Sequence, residues 1–537
     1  MVVSMKHTND INKKGHQSDD GNAKKESMTE RIKKFLDEFL AGTCLLIGSN
    51  TDKVYIIWKD GEICRVDDVD SPDFKAKLRS LFEENVANTL YSDSLLNNAV
   101  SHIKHKALGR NIKKYVATRI AFENDVIYYN LADDYQSIIA VESDGYYSCY
   151  MDGLLNKKFA FHSTPSMECQ KMPVESEAEP DLMELLKPYI NLPENEQRLL
   201  VVTILTWFIS DIPHPVIMLQ GGQGSGKTTL TTIIQKIVDP CNHEAFVMPK
   251  NKEELIIALA NNYLLAIDNA SSLPKDANDL LCSAVTGASV VKRALYTNND
   301  ASVVSFKNCI LLNGIDVGNI KPDLYDRTVK FEMQGLKGSY RLSSELLDEF
   351  EEKLPIIMDK IFKILSEAIA AYNSVKTSRV YRMADYVHWA QAISKAMFGS
   401  DEVLLKDYED NRSELTDSVI EGNPVAVVLR EYLRDQTEFP IQITPAQLLV
   451  ELRRKANNGL DTFASAANAS PYLSYAPNSP TWPKTPQSLS KMLNRLKENF
   501  AREGYEISVG KIKIDGKRYT KISKIEPLPE NQPVDSE

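Results

Sequence analysis

Gly221, Gly226, Lys227 and Thr228 stand at the spacing G-x-x-x-x-G-K-[ST] inside VIMLQGGQGSGKTTL, residues 216–230. An apolar strand over Val216–Leu219 runs into the glycines and a helix, TTLTTIIQKIV, runs out of them. In that context the loop's backbone N–H groups curl round phosphate and the helix N-terminus adds positive potential. Gly221, Gly222, Gln223, Gly224, Ser225, Gly226, Lys227, Thr228 and Thr229 are therefore the expected nucleotide-binding residues, for ATP with Mg2+. Lys227 is expected to bridge the β- and γ-phosphates and Thr228 to hold the metal. The plain alternative is an accidental glycine loop.

Three further segments offer partners for that chemistry. In NYLLAIDNAS a strand over Tyr263–Ile267 ends at Asp268, a second Mg2+ candidate whose bland reading is a strand-end cap. Asn269 follows, where many such ATPases carry a glutamate base. An amide cannot take a proton from the attacking water, so Asn269 can only position it. NCILLNGID brings Asn313 to the same sheet edge, where its amide could polarise the water or sense the γ-phosphate. KPDLYDRTVKFEM sets Arg327 in a loop before another strand, suited to a neighbour's γ-phosphate. A surface pair of Arg327 with Asp323 or Asp326 is the alternative, and Lys321 is a second candidate for the same role.

Two segments suit nucleic acid. Between the second and third strands a hairpin is expected, Val290–Tyr296 against Ala301–Phe306 with TNND as its turn. Lys292 and Arg293 lie on its first strand and could meet DNA phosphates, although structural decoration explains the insertion too. Near the end, TPQSLSKMLNRLKENFAREG reads as a helix exposing Ser490, Lys491, Asn494, Arg495 and Lys497. A hairpin, YEISVGKIKIDGKRYTKISKI, follows it, turns at Asp515-Gly516 and carries Lys511, Lys517 and Arg518. From Lys484 to Lys524 there are eleven Lys/Arg against four Asp/Glu, a local net charge of +7. Helices VAVVLREYLRD and TPAQLLVELRRKA precede it, the second capped by Thr444 with Pro445 in its first turn. Three helices and a basic hairpin predict a winged helix that grips duplex DNA, with a protein-interaction module as the alternative.

The elements that must position these residues fit a chain of several units. At 537 residues, with 43% hydrophobic and 26% charged residues, the sequence exceeds one ordinary core. A net charge of -11 argues against a protein coated in nucleic acid and leaves room for a local basic face. The seven cysteines form no C-x-x-C pair and no zinc spacing, so reduced thiols are expected. No apolar run of membrane length and no signal h-region are evident, which predicts a cytoplasmic protein without a membrane partner. The expected organisation is a disordered tail over 1–28 and an N-terminal α+β domain over 29–165, with a hairpin at Asp60-Gly61. A linker and helical collar occupy 166–215, an α/β P-loop core 216–335 and a helical lid 336–415. A winged helix over 425–525 and an acidic tail over 526–537 complete the chain.

With these parts in order, the chain resembles the superfamily-3 and MCM-like AAA+ ATPases of phages and bacterial mobile elements. The replicative helicases of staphylococcal chromosome cassettes look like relatives. The resemblance rests on GGQGSGKTTL, NNYLLAIDNAS, LLCSAVTGASVVKRALYTNND, CILLNGID, PDLYDR and RMADYVHWAQA, and spans about residues 180 to 400. It implies an AAA+ core in which Lys227 and Thr228 are the Walker A pair and Asp268 the Walker B acid. Asn313 would be sensor 1, Arg327 the trans-acting finger, and Lys292 and Arg293 residues of a DNA-contacting pre-sensor-1 hairpin. It also implies a homo-oligomer of six subunits with single-stranded DNA in its pore, and a primase, polymerase or other element-encoded protein as a possible partner. Asn269 and a hairpin tip without lysine depart from the family pattern, and no primase motif is evident in residues 30–165. The leading expectation is a DNA helicase or replication initiator. A DNA-binding ATP switch and an ATPase sensor of antiphage defence are the alternatives.

Overall fold

The computed structural model describes residues 27–87, 89–176, 180–270, 273–293, 301–315, 320–335, 342–376, 381–421, 423–462, 482–514 and 517–525. Two compact units are present, Met1–Leu405 and Lys406–Glu537.

The first unit opens with α1 (Met28–Ala41), which Ser27 starts with a reciprocal cap to Glu30. An antiparallel meander follows, β1 (Cys44–Gly48), β2 (Val54–Asp60) and β3 (Ile63–Asp68), then α2 (Pro72–Asn85) and α3 (Asp93–Arg110). β4 (Lys113–Ala117) lies parallel to β1. β5 (Ile120–Glu123), β6 (Val126–Asn130), β7 (Ser137–Glu142) and β8 (Gly145–Tyr150) form a separate sheet, and β9 (Phe159–Phe161) returns beside β4. The first sheet runs β3-β2-β1-β4-β9. Side chains alternate along β2, so Val54, Ile56 and Trp58 pack under α1–α3 while Tyr55 and Ile57 face the second sheet through Tyr128, Ile138 and Ala140. Burial on both faces is why VYIIW reads as an unbroken apolar run.

The second sheet is joined to the next layer by a buried ion pair. Arg119 is fully buried and its Nε donates to Asp239 Oδ1 at 2.9 Å. Its remaining N–H groups go to the carbonyls of Asn130, Glu168 and Pro240. Asp239 Oδ2 accepts the backbone N–H groups of Tyr263 and Leu264 at 3.0 and 3.1 Å. With every donor and both oxygens used, this charge pair meets the condition under which burial is tolerated. Gln170 is buried too, its amide donating to Tyr129 Oη and to the carbonyls of Lys236 and Ile237.

Two helices, α4 (Leu182–Leu186) and α5 (Glu194–Thr206), lead to a wound α/β layer. Its elements are β10 (Val216–Gly221), α6 (Lys227–Val238), β11 (Phe246–Val247), α7 (Lys252–Asn261), β12 (Leu264–Asp268), α8 (Lys275–Thr286), β13 (Ala288–Arg293), β14 (Ala301–Phe306), β15 (Cys309–Gly314), α9 (Pro322–Tyr325) and β16 (Thr328–Met333). Five strands form a parallel sheet in the order β11-β12-β15-β10-β16, and β13 and β14 pair only with each other as strands. The sheet's wholly apolar runs follow from burial on both faces. α10 (Ser343–Ala371) and α11 (Ala384–Phe398) close the unit, and α12 (Glu402–Glu421) crosses the boundary between the two. Among the described residues no helix is long and apolar enough to cross a membrane.

The second unit orders its elements α13 (Pro424–Arg434), β17 (Ile441–Ile443), α14 (Pro445–Thr462), α15 (Pro486–Arg502), β18 (Tyr505–Ile514) and β19 (Lys517–Lys524). Its sheet runs β17-β19-β18. Leu489, Leu493, Leu496 and Phe500 repeat at helical spacing along α15 and pack with Leu429, Leu448, Leu452, Ile507 and Ile522. Thr444 and Gln447 cap α14 reciprocally.

Candidate active site

Because β10, β12 and β15 are parallel, the loops after them open at one sheet edge. The first is the glycine loop. A Cβ on Gly221 would stand 2.5 Å from the Met333 carbonyl oxygen and 2.9 Å from Ser225 Oγ, so no other residue fits there. Gly226 takes the left-handed conformation and starts α6. Gly222, Gln223 and Gly224 are exposed, while Ser225 is buried. Lys227 folds back over the loop, its Nζ donating to the carbonyls of Gly221 at 2.9 Å and Gly222 at 2.7 Å and to Ser225 Oγ at 3.3 Å. Burial lowers the affinity of its ammonium for the proton, against the pull of Asp268. The cradle and its lysine fit a phosphate chain with its metal.

Thr228 and Asp268, the two expected metal ligands, meet directly: Thr228 Oγ1 donates to Asp268 Oδ2 at 3.2 Å. Asn269 is exposed and left-handed at φ 53°, a conformation that asparagine adopts more readily than most residues. Its backbone N–H is shared between Asp268 Oδ1 at 2.7 Å and Asn313 Oδ1 at 3.0 Å. Asn313 lies on the expected edge, yet it is fully buried and both ends of its amide are taken. Nδ2 donates to Thr231 Oγ1 at 2.8 Å, while Oδ1 holds Asn269. The amide expected to face a γ-phosphate or a water instead ties α6 to the turn after β12. Thr231 was not singled out from sequence, although it lies one helical turn past Thr228 on the same face.

Arg327 belongs to the opposite edge. Its carbonyl accepts the N–H of Val216, the first residue of β10, at 2.8 Å. Gly221 lies five strand residues further on, roughly 17 Å away at about 3.3 Å per residue, so Arg327 cannot serve its own glycine loop. Its guanidinium is 3.7 Å from Asp323, the pair anticipated as the bland alternative, and its Nε is buried without a partner. Arg382, from the RMADYVHWAQA segment, pairs with the same Asp323 and with Asp326, the latter at 3.0 Å. Lys321 pairs with Asp279. Burial pushes the Cys282 thiol up despite Arg327 and Arg382 nearby.

The β13–β14 hairpin springs from this second edge. Asn308, between β14 and β15, anchors its base by donating to the carbonyls of Leu259 and Asn262. Lys292 and Arg293 occupy the last two positions of β13, opposite Ser302 and Ala301. Their side chains and the tip over 294–300, Tyr296 included, lie outside the described residues. In the second unit Lys491, Asn494, Arg495 and Lys497 are exposed as expected. Ser490 is half-buried instead, because its hydroxyl bonds to the Pro486 carbonyl one turn back. Lys511 lies on β18 and Lys517 and Arg518 on β19, paired opposite Ile514 and Lys513; their side chains, and Asp515-Gly516, lie outside the described residues.

Residues 183–417 match the family described as the actinomycete integrative conjugative element replication protein. Residues 425–533 match the C-terminal domain of the same replication protein, AICE RepA. Over these two stretches the chain is similar to a mobile-element replication protein. No curated protein matches the chain. Among solved structures, the apo NrS-1 C-terminal region in its A form is 13% identical, with 92% of this chain and 98% of that one covered at a TM-score of 0.37. A second apo structure of the NrS-1 C-terminal region (305-718) gives 13% identity, 93% and 100% coverage and 0.37. JCV helicase gives 15% identity, a TM-score of 0.24 and coverage of 41% of this chain and 61% of that chain. The replication-protein match takes in the glycine loop, Asp268, Asn313 and Arg327, and its C-terminal part takes in α15 and the basic strands.

Proposed function

We propose that this mobile-element replication protein is an ATP-driven ring motor on DNA, a helicase or initiator of the superfamily-3-like AAA+ type. The observation that carries the reading is the split between sheet edges: the glycine loop at one, Arg327 at the other, too far apart to meet within one copy. A phosphate site that uses both needs a second subunit, and six in a ring is the family expectation. Bound ATP with Mg2+ supplies the phosphoanhydride chemistry. Residues 221–229 hold the phosphates, and Lys227 exchanges the loop carbonyls for phosphate oxygens. Thr228 and Asp268 order the metal's ligands. Asn313 fixes the Asn269 backbone, and one copy's Arg327 offsets the charge that develops in its neighbour's site. The helix–strand–helix–helix–strand–strand order of the second unit supports a winged helix that holds duplex through Lys491, Arg495, Lys511, Lys517 and Arg518. Lys292 and Arg293 hold single-stranded DNA in the pore.

Strand displacement on forked DNA tests the whole reading. The parent chain should displace the strand only with ATP. Replacing Lys292 and Arg293 by alanine should abolish displacement while basal hydrolysis persists. Robust hydrolysis and DNA binding without displacement in the parent would favour the second reading, a DNA-bound ATP switch. Asn269 favours that reading because it cannot act as the base.

A further inference from the structure

The reading above leaves residues 29–165 without a task, and the structure puts one of their loops against the hairpin. The turn from β1 to β2 is built tightly. A side chain at Gly48 would run into Thr51 and Tyr55, the Gly48 carbonyl accepts the Asp52 N–H at 2.9 Å, and Asp52 is left-handed at φ 55°. Asn50 locks the turn to β4, donating from Nδ2 to the Val116 carbonyl and accepting the Val116 N–H at Oδ1, both at 2.9 Å. Ser49 adds a bond to the Lys114 carbonyl at 2.8 Å.

This fixed turn presents two acceptors to the outer edge of β14. The Asn50 carbonyl accepts the Ser305 N–H at 2.8 Å, and Asp52 Oδ2 accepts the Val303 N–H at 2.8 Å. Val303 and Ser305 sit two apart, so their N–H groups point to the same side, away from β13. The turn thus occupies the edge that a two-stranded hairpin would otherwise leave open. One contact is a carbonyl inside a locked turn, and the other is the carboxylate of an exposed residue.

We propose that the β1–β2 turn is a brace that sets the resting position of the β13–β14 hairpin, with Asp52 as its releasable contact and Asn50 as its fixed one. Asp52 is a positioning residue: among the described residues its carboxylate bonds to the Val303 N–H and not to the glycine loop. The proposal rests on the hairpin's being the moving element of the motor. Release at Asp52 lets β14 swing away from the first sheet, while Asn50 limits the travel.

Hydrogen exchange on the full chain, with ATPase rates measured with and without single-stranded DNA, tests this in Asp52→Ala and Asp52→Asn. Asparagine keeps an acceptor oxygen and alanine does not. Exchange across 301–306 should rise about tenfold in the alanine variant and stay near the parent in the asparagine variant. Peptides of the glycine loop and the basal rate should not change, and the fold-stimulation by DNA should differ from the parent only in the alanine variant. Unchanged exchange across 301–306 in Asp52→Ala would overturn the brace, as would an asparagine variant as disturbed as the alanine one. The predicted exchange pattern in a protein that DNA never stimulates would keep the brace and remove the motor reading instead.

Discussion

At the glycine-loop edge of the parallel sheet, Lys227, Thr228, Asp268, Asn269 and Asn313 bond to one another, to the loop or to Thr231. At the opposite edge Lys321, Arg327 and Arg382 each rest on a carboxylate of α8, α9 or the residue just beyond α9. The first edge is preorganised by hydrogen bonds, several of them to the Lys227 ammonium or the Asp268 carboxylate, that converge on one small space. The second is a set of cations paired with carboxylates of their own chain, and the buried Arg327 Nε has no hydrogen-bond partner among the described residues. A site that binds its ligand alone needs the first kind of construction. In the proposed ring a group that acts on another copy would stay paired until that copy arrives, and the loose 3.7 Å pair with Asp323 would leave Arg327 easy to take.

The sharpest way to break this contrast is at the first edge. Lys227→Ala should lower ATP hydrolysis by about 10³-fold or more and weaken nucleotide binding, because Lys227 is the one basic residue within 221–229. Steady-state turnover and calorimetric titration with ATP read both effects, and parental turnover would refute the site. Next comes Arg327→Ala, expected to cost about 10²–10³-fold in hydrolysis with ATP affinity kept. Mixed with Lys227→Ala protein it should regain part of the lost rate, since some interfaces then pair an intact loop with an intact arginine. No recovery on mixing would mean the two edges never meet.

A smaller effect is expected at Asn313. Asn313→Ala leaves the Asn269 N–H to Asp268 alone and removes the amide donor to Thr231, so the turnover number should fall about 10–100-fold while ATP affinity changes little. A group in direct contact with phosphate would instead move affinity as well.

The smallest effect concerns His214, just before β10, which burial and the Lys307 charge hold at about 3, against a weaker backbone pull from Ile209. In the unfolded chain the ring titrates near 6.5, so above that pH both states are neutral and nothing is lost. As pH falls below 6.5 only the unfolded chain takes the proton. Stability should therefore drop by about 2 kcal/mol on reaching pH 5. His214→Leu should flatten that part of a stability-against-pH curve without altering turnover near neutral pH. An equally steep curve in the variant would place the acid sensitivity elsewhere.

The first edge was legible in the sequence because its parts are local: the glycines, Lys227 and Thr228 are contiguous, and Asp268 and Asn313 end apolar strands. What each residue does there was less legible. Asn313 is bonded to Thr231, 82 residues away, and to a backbone group whose position depends on strand order. That β15 lies between β10 and β12 is not written in any single strand's pattern. Arg382 was visible only as part of a quoted motif, and its partner Asp323 comes from across the unit. β17 escaped because three residues, IQI, are too few to display a period. The helix after β17 was marked by its cap, Thr444 with Pro445, which acts locally, whereas the hairpin's first strand, expected over Val290–Tyr296, is described over Ala288–Arg293.

The buried pair Arg119–Asp239 bears on where this protein can be cut. Sequence kinship to the replication protein begins at residue 183, which invites expression of the chain from there. Such a fragment would retain Asp239 and discard Arg119, taking the guanidinium from a carboxylate that also orders two N–H groups at the head of β12. An uncompensated charge of that kind costs about 3–5 kcal/mol, a large part of what holds an ordinary domain together. The stretch that matches the family is therefore smaller than the stretch that can stand by itself, and a soluble shortened version would have to start ahead of β5.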